Sequence, residues 1–142
     1  MSIEAKQNYI LVLEDDLLWG DLVRIYLEAE GLKVEVAISP EEADEITARR
    51  SDEGWKLLHY CGDFNLRTGE NGCSGLEYGL RLRETISDLG ITLITGSVSE
   101  PAVQEFALTG EVIDKNALDG KTWDRVESLA QRLREKYFCS ED

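Results

Sequence analysis

The stretch Tyr9-Ile10-Leu11-Val12-Leu13 sets five apolar residues in a row and then meets three carboxylates, Glu14, Asp15 and Asp16. A continuous apolar run of this length marks a strand buried on both faces, and such strands belong to parallel sheets covered by helices. Acids crowded at the end of a buried strand repel one another and lose hydration. Solvent, a metal ion or a basic group from elsewhere in the chain has to compensate.

The chain alternates in period from end to end. Trp19, Leu22, Val23, Tyr26 and Leu27 recur at spacings of three and four, which predicts a helix closed by Gly31. "LKVEVA" alternates like a strand open to solvent on one side. Ser39 then reads as an N-cap, with Pro40 at the first helical position and Glu42 completing a capping box. "WKLLHYCGD" is the next buried strand, ending at Asp63, and the long loop after it carries the turn formers Gly69, Asn71 and Gly72.

A second capping box, Ser74 with Glu77, opens a helix predicted to run to about Leu89. "ITLIT" is a short buried strand, and Ser99 and Pro101 open the helix "EPAVQEFAL". "EVI" is a brief last strand. The final helix places Trp123, Val126, Leu129, Ala130, Leu133 and Tyr137 on one stripe, opposite Asp124, Glu127 and Glu135. Five strands alternating with five helices predict an α/β fold, a parallel sheet with helices on both faces. No linker, repeat or low-complexity stretch interrupts it, so residues 1–142 read as one domain.

Charge and composition exclude several classes of function. A net charge of −14 argues against direct nucleic-acid binding and against adhesion to anionic membranes. No apolar run is long enough for membrane insertion, and the polar start "MSIEAKQN" lacks the apolar core of a signal peptide. Cys61, Cys73 and Cys139 suit neither a disulfide framework nor a zinc site. Reduced thiols in a cytoplasmic protein are the expectation, with a protein or a cation as partner.

In sheets of this kind ligands bind outside the carboxyl ends of the strands. That rule gathers Glu14 and Asp15 from the first strand, Asp63 from the third, Thr95 from the fourth and Lys115 from beyond the fifth. Oxygen ligands without His or Cys suit Mg²⁺. With such a cation in place, Asp63 can act as a nucleophile towards a phosphoryl group, while the Thr95 hydroxyl and Lys115 bind the remaining oxygens.

At these residues the sequence resembles the receiver domains of two-component response regulators, over roughly residues 8 to 137. "ILVLEDD" is similar to the first-strand motif, with its acidic pair at Glu14 and Asp15; "DFNL" to the phosphoacceptor motif; "LITGS" to the fourth-strand motif; "VIDK" to the lysine motif. The resemblance implies a doubly wound, flavodoxin-like sheet of strand order 2-1-3-4-5. It implies Asp63 as phosphoacceptor, Asp15 and Asp63 as Mg²⁺ ligands with Glu14 acting mainly through water, and Asn65 supplying a backbone carbonyl. Thr95 is then the switch hydroxyl, the Gly96 amide lies near the phosphoryl group and Lys115 is the cation. It further implies a phosphorelay: transfer from a phosphohistidine on a histidine kinase or histidine phosphotransfer protein, signalling to a downstream protein target, and self-catalysed Mg²⁺-dependent autodephosphorylation.

The chain departs from the family pattern at four places. Arg67 stands where proline is usual, the loop between Asp63 and Gly75 is longer, Asn116 replaces the proline after Lys115, and Val112 replaces a switching aromatic. Before a non-proline residue the Lys115–Asn116 peptide is expected to be trans. A degenerate receiver that binds partners without phosphorylation is the alternative. More remote is a Mg²⁺-dependent aspartyl-phosphate phosphatase of the haloacid-dehalogenase type, in which an acid stands two residues after the nucleophile; here Asn65 does. A calcium loop starting at Asp63 fails, because Arg67 falls on a ligand position and Ser74 on the twelfth. His59 and Cys61 share a strand face, and Trp19 and Trp123 fall on apolar helix stripes, so all four read as packing residues. Ser97 is a minor candidate for tuning hydrolysis.

Overall fold

The computed structural model describes residues 7–66 and 74–138. Strands and helices alternate along them: β1 (Asn8–Leu13), α1 (Leu17–Glu28), β2 (Val34–Ala37), α2 (Pro40–Asp52), β3 (Lys56–Gly62), α3 (Gly75–Thr85), β4 (Gly90–Thr95), α4 (Pro101–Ala107), β5 (Glu111–Asp114) and α5 (Thr122–Phe138). The strands form one parallel sheet in the order β2-β1-β3-β4-β5, as the resemblance implies. Leu13 pairs with both Ala37 and Gly62, and Thr95 pairs with Asp114. The strands therefore end nearly level, and whatever follows each of them emerges at one edge. Gly69, Asn71, Gly72, Arg67, Cys73 and Cys139 lie outside the described residues.

Each face of the sheet carries its own core. On one side Ile10, Val12, Cys61, Ile94 and Ile113 pack against Val23 and Leu27 of α1 and Val126, Leu129, Ala130 and Leu133 of α5. On the other, Tyr9, Leu11, Leu13 and Tyr60 pack against Ala43 and Ile46 of α2 and Tyr78 of α3, with Val103 of α4 beside Leu76 and Leu93. Leu11 and Leu13 on one face are wholly inaccessible and Ile10 and Val12 on the other are buried as well, so β1 is buried on both faces, as its apolar run requires.

The helix caps explain most boundaries. Asp16 caps α1: its Oδ1 accepts from the backbone N–H groups of Leu18 (3.0 Å) and Trp19 (3.2 Å). Ser74 and Glu77 form the expected capping box on α3. On α2 the Ser39 hydroxyl accepts from the Glu42 N–H, but the Glu42 carboxylate reaches back one residue further than expected, to the N–H of Ile38 at 2.7 Å. Helix α3 stops at Thr85, short of Leu89, because the Leu89 N–H turns back to the Ile86 carbonyl and Arg83 takes the Leu89 carbonyl. At α4 the N-cap is Glu100, with no side-chain cap bond, and Pro101 is the first helical residue.

Two features shape the central strand. The pairing of β1 with β3 shifts between Tyr9 and Ile10, leaving Leu58 as an extra residue on β3. Leu58 packs on the α1/α5 side, where Tyr137 Oη donates to its carbonyl at 3.0 Å. Further along, Tyr60 lies fully buried and donates to the Gly75 carbonyl at 2.6 Å. A Cβ at Gly79 would come within 2.7 Å of the Tyr60 ring, so glycine there lets α3 settle onto the strand. The same close approach brings Gly75 against the Asp63 backbone, and the Gly75 N–H donates to the Phe64 carbonyl at 3.3 Å. The stems of the loop after β3 thus meet directly beside Asp63.

His59 is buried, its Nε2 is 2.8 Å from the Thr92 hydroxyl, and its Nδ1 has no partner. Burial, reinforced by Lys136, Arg132 and Arg83, lowers its pKa from 6.5 to about 4. The native state then holds His59 neutral where the unfolded chain binds a proton. Its contribution to stability is complete above pH 6.5 and is lost as pH falls towards 4. Compared with His59→Gln, the wild type should lose stability more steeply in that window, by up to about 1.4 kcal/mol per pH unit, in urea unfolding followed by circular dichroism. In the same assay at neutral pH, Gly79→Ala should destabilise the fold by about 1–3 kcal/mol through overpacking against Tyr60.

Candidate functional site

At the carboxyl edge of the sheet, a cleft of about 230 Å³ is lined by Glu14, Asp15, Asp16, Trp19, Asp63, Asn65, Gly96, Ser97, Lys115 and Asn116. The two acids at the head of the β1–α1 turn differ in environment. Glu14 is buried and held through both oxygens, one accepting from the Asp16 N–H at 3.1 Å and one pairing with Lys115 Nζ at 2.6 Å. Asp15 is half-buried at the cleft wall. Asp63 follows β3 directly and is buried; its Oδ2 accepts from Lys115 Nζ at 2.7 Å and its Oδ1 from the Asn65 N–H at 3.2 Å.

One ammonium therefore bridges two buried carboxylates. The β5–α5 turn delivers it, with the Lys115 N–H donating to the Thr95 carbonyl at 3.0 Å and the Thr122 hydroxyl donating to the Asp114 carbonyl at 2.8 Å. No described peptide bond is cis, so Lys115–Asn116 is trans, as expected. The Asn116 N–H donates to Asp114 Oδ1 at 2.8 Å and closes the turn without a proline.

Electrostatics follow from this packing. Desolvation, with the nearby Asp63 charge, raises the Glu14 pKa to about 7, although Lys115 and the Asp16 N–H both favour its ionised form. For Lys115 burial works against the charge, yet the hydrogen bonds and charges of Asp63 and Glu14 prevail and its pKa is raised. Lys115 is thus an ammonium throughout the neutral range, and the group that yields to crowding is Glu14.

One oxygen each of Glu14, Asp15 and Asp63 lie within 4.8 Å of one another. These hard donors, with the neighbouring Asn65 lining the same cleft, fit Mg²⁺, since three carboxylates face a single lysine there. A divalent cation held here would offset that charge and polarise an incoming oxyanion.

The structure brings together every side chain expected at the edge except one. Thr95 is fully buried behind the cleft wall, and its hydroxyl accepts from the Ser97 N–H at 3.1 Å. Gly96 and Ser97 form the wall instead. A Cβ at Gly96 would stand 3.0 Å from Asn116 Nδ2, so glycine keeps this wall open. Two contributors were not expected. Trp19 lies in the cleft as well as on a helix stripe, and Asn116 lines it opposite Gly96. A larger groove of about 700 Å³ runs between α3 and α4, where Phe64, Leu76, Leu80 and Phe106 make it mainly apolar.

Solved structures match this fold over most of the chain. The receiver domain of NtrX from Brucella abortus is 25% identical, with 89% of this chain and 98% of that one covered at a TM-score of 0.67. The chain has the fold of response regulator receiver domains. Response regulator TrrA from Thermotoga maritima, in complex with Mg²⁺-BeF, shares this receiver fold at 22% identity, with 86% and 98% covered and a TM-score of 0.60. A response regulator from Burkholderia pseudomallei with a phosphorylated aspartic acid and a calcium ion does so at 19% identity, with 96% and 75% covered and a TM-score of 0.61. No protein-family model matches the chain, and no curated protein matches it in sequence.

The raised Glu14 pKa gives the receiver fold a pH signature. Between the ordinary value of 4.5 and about 7 the native state binds a proton that the unfolded state releases, so stability falls as pH rises through that window. Glu14→Gln should remove this fall and be the more stable form at pH 8 in metal-free buffer. Adding Mg²⁺ should narrow the gap by stabilising the wild type, as read from thermal unfolding with and without chelator.

Proposed function

We propose that the chain is a single receiver domain over residues 1–142, accepting a phosphoryl group on Asp63 in a two-component phosphorelay. The observation that carries this reading is the convergence, at one strand edge, of three carboxylates within 4.8 Å and an ammonium 2.7 Å from Asp63. The solved relatives that hold Mg²⁺-BeF or a phosphorylated aspartic acid lend support by analogy. The donor is a phosphohistidine on a histidine kinase or histidine phosphotransfer protein, and the output is contact with a downstream protein target in the cytoplasm. Among the described residues no helix is long and apolar enough to cross a membrane.

Asp15, Asp63 and the Asn65 carbonyl would hold Mg²⁺, with Glu14 acting through bound water; the cation supplies charge neutralisation at the transferring oxygens. A carboxylate oxygen of Asp63 attacks phosphorus, the phosphorus–nitrogen bond of the donor breaks, and the imidazole leaves with the electron pair and takes a proton. Lys115 swings its ammonium from the Asp63 oxygen towards the new phosphoryl oxygens. The Gly96 amide faces the same oxygens, and Thr95 must turn its hydroxyl from Ser97 to reach them. Hydrolysis of the acyl phosphate by water, in a cleft walled partly by Ser97, resets the domain. Leu17 and Leu18, exposed on the first turn of α1 just past the acids, offer the donor an apolar foothold.

Incubation with acetyl phosphate and Mg²⁺ should give one acid-stable, base-labile label on Asp63. Asp63→Asn should keep the fold and abolish it, and chelation of Mg²⁺ should do the same in the wild type. Labelling of Asp63→Asn at the wild-type rate would sink the assignment, and a wild type that takes no label would favour a degenerate receiver.

A further inference from the structure

Lys115 is held by more than its two carboxylates. Its ammonium lies over the ring of Trp19, 4.8 Å from the ring centroid. The Trp19 backbone is fixed in the first turn of α1 by its bond to Asp16, and its ring stacks on Trp123 at 4.9 Å with an interplanar angle of 19°. Trp123 stacks in turn with Tyr26 at 5.1 Å and 22°. Trp123 and Tyr26 pack against the core between α1 and α5, whereas Trp19 does not join that core. Its ring is half-buried and forms part of the cleft instead. Three rings thus make one block, anchored in the core at one end and presenting an aromatic face to the ammonium at the other.

A lysine on its flexible four-carbon stem does not fix its own position. The carboxylates fix it only while they are free of other cations and of a phosphoryl group. An aromatic face attracts an ammonium through its quadrupole, more strongly where water is partly excluded, and it carries no charge to compete with an arriving anion. We infer that Trp19 is the positioning residue for Lys115, buttressed by Trp123, and keeps its ammonium beside Asp63 as the ion pairs rearrange. This inference rests on the phosphoacceptor reading above for its consequence in rate, but not for the seat itself.

Two measurements separate the seat from the chemistry. Ring current from Trp19 should shift the ε-methylene protons of Lys115 upfield of other lysines, in a spectrum assigned by its loss in Lys115→Arg. The shift should vanish in Trp19→Leu, persist in part in Trp19→Phe and weaken in Trp123→Leu. Labelling of Asp63 by acetyl phosphate should slow about tenfold in Trp19→Leu and by no more than about threefold in Trp19→Phe, the scale of a partly desolvated cation–π contact. Both Trp19 variants should melt cooperatively, so that the rescue by phenylalanine reports the aromatic face. Lysine 115 protons at ordinary positions in the wild type, or Trp19→Leu labelled as fast as the wild type, would overturn the inference. A wild type with the upfield shift but no label would instead overturn the phosphoacceptor reading and leave the lysine seat standing.

Discussion

The bridge that Lys115 makes between Glu14 and Asp63 is the interaction on which the rest of the edge depends. Two buried carboxylates this close cannot both stay ionised without a cation between them. The ammonium supplies one positive charge, at 2.6 and 2.7 Å, and burial, with the Asp63 charge beside it, still raises the Glu14 pKa. Bringing these three groups together requires β1, β3 and the turn after β5 to end at the same level. A parallel sheet with β1 and β3 side by side meets that requirement, and helices on both faces bury the strands that carry the acids.

The same bridge sets a tension between stability and chemistry. In the ion-paired state one oxygen of Asp63, the proposed nucleophile, is engaged by the lysine that is proposed to assist it. Breaking a buried pair without replacement is costly, so the ammonium can leave only when another cation or a phosphoryl group takes over part of its contacts. Crowded acids and a single lysine are therefore a resting arrangement suited to exchange of partners. Their burial gives each exchange a large electrostatic consequence.

Much of this was legible in the sequence, for reasons that residues make plain. The apolar run of β1, the stripe of α5 and the Ser74 capping box each combine a period with a boundary, and all three appear as read. Other features leave no such trace. The extra residue at Leu58 breaks the period of two on β3, and with Leu57 apolar before it and His59 buried after it the sequence shows no alternation that would mark the slip. Trp19 stands at a position that both the helix stripe and the cleft can claim, and periodicity cannot tell an aromatic that faces a core from one that faces a cation. Asp16 belonged to the acidic run, yet its role is to cap α1, a division of labour visible only once the turn has a path. Thr95 was placed at the right strand end, but the hydrogen bond that turns its hydroxyl to Ser97 depends on the backbone beyond it.

The closure of the β3–α3 connection at its stems bears on how such a chain can change over time. Because the Gly75 N–H is tied to the Phe64 carbonyl beside Asp63, the two ends of the connection are held together at a fixed doorway. Lengthening a loop between fixed ends raises its entropic cost only logarithmically, by about 0.6 kcal/mol for each doubling. Insertions there can accumulate, or be grafted, with little thermodynamic resistance and without moving Asp63. The doorway is thus a permissive site for added length, next to a cluster of carboxylates whose close spacing depends on the strand ends staying where they are.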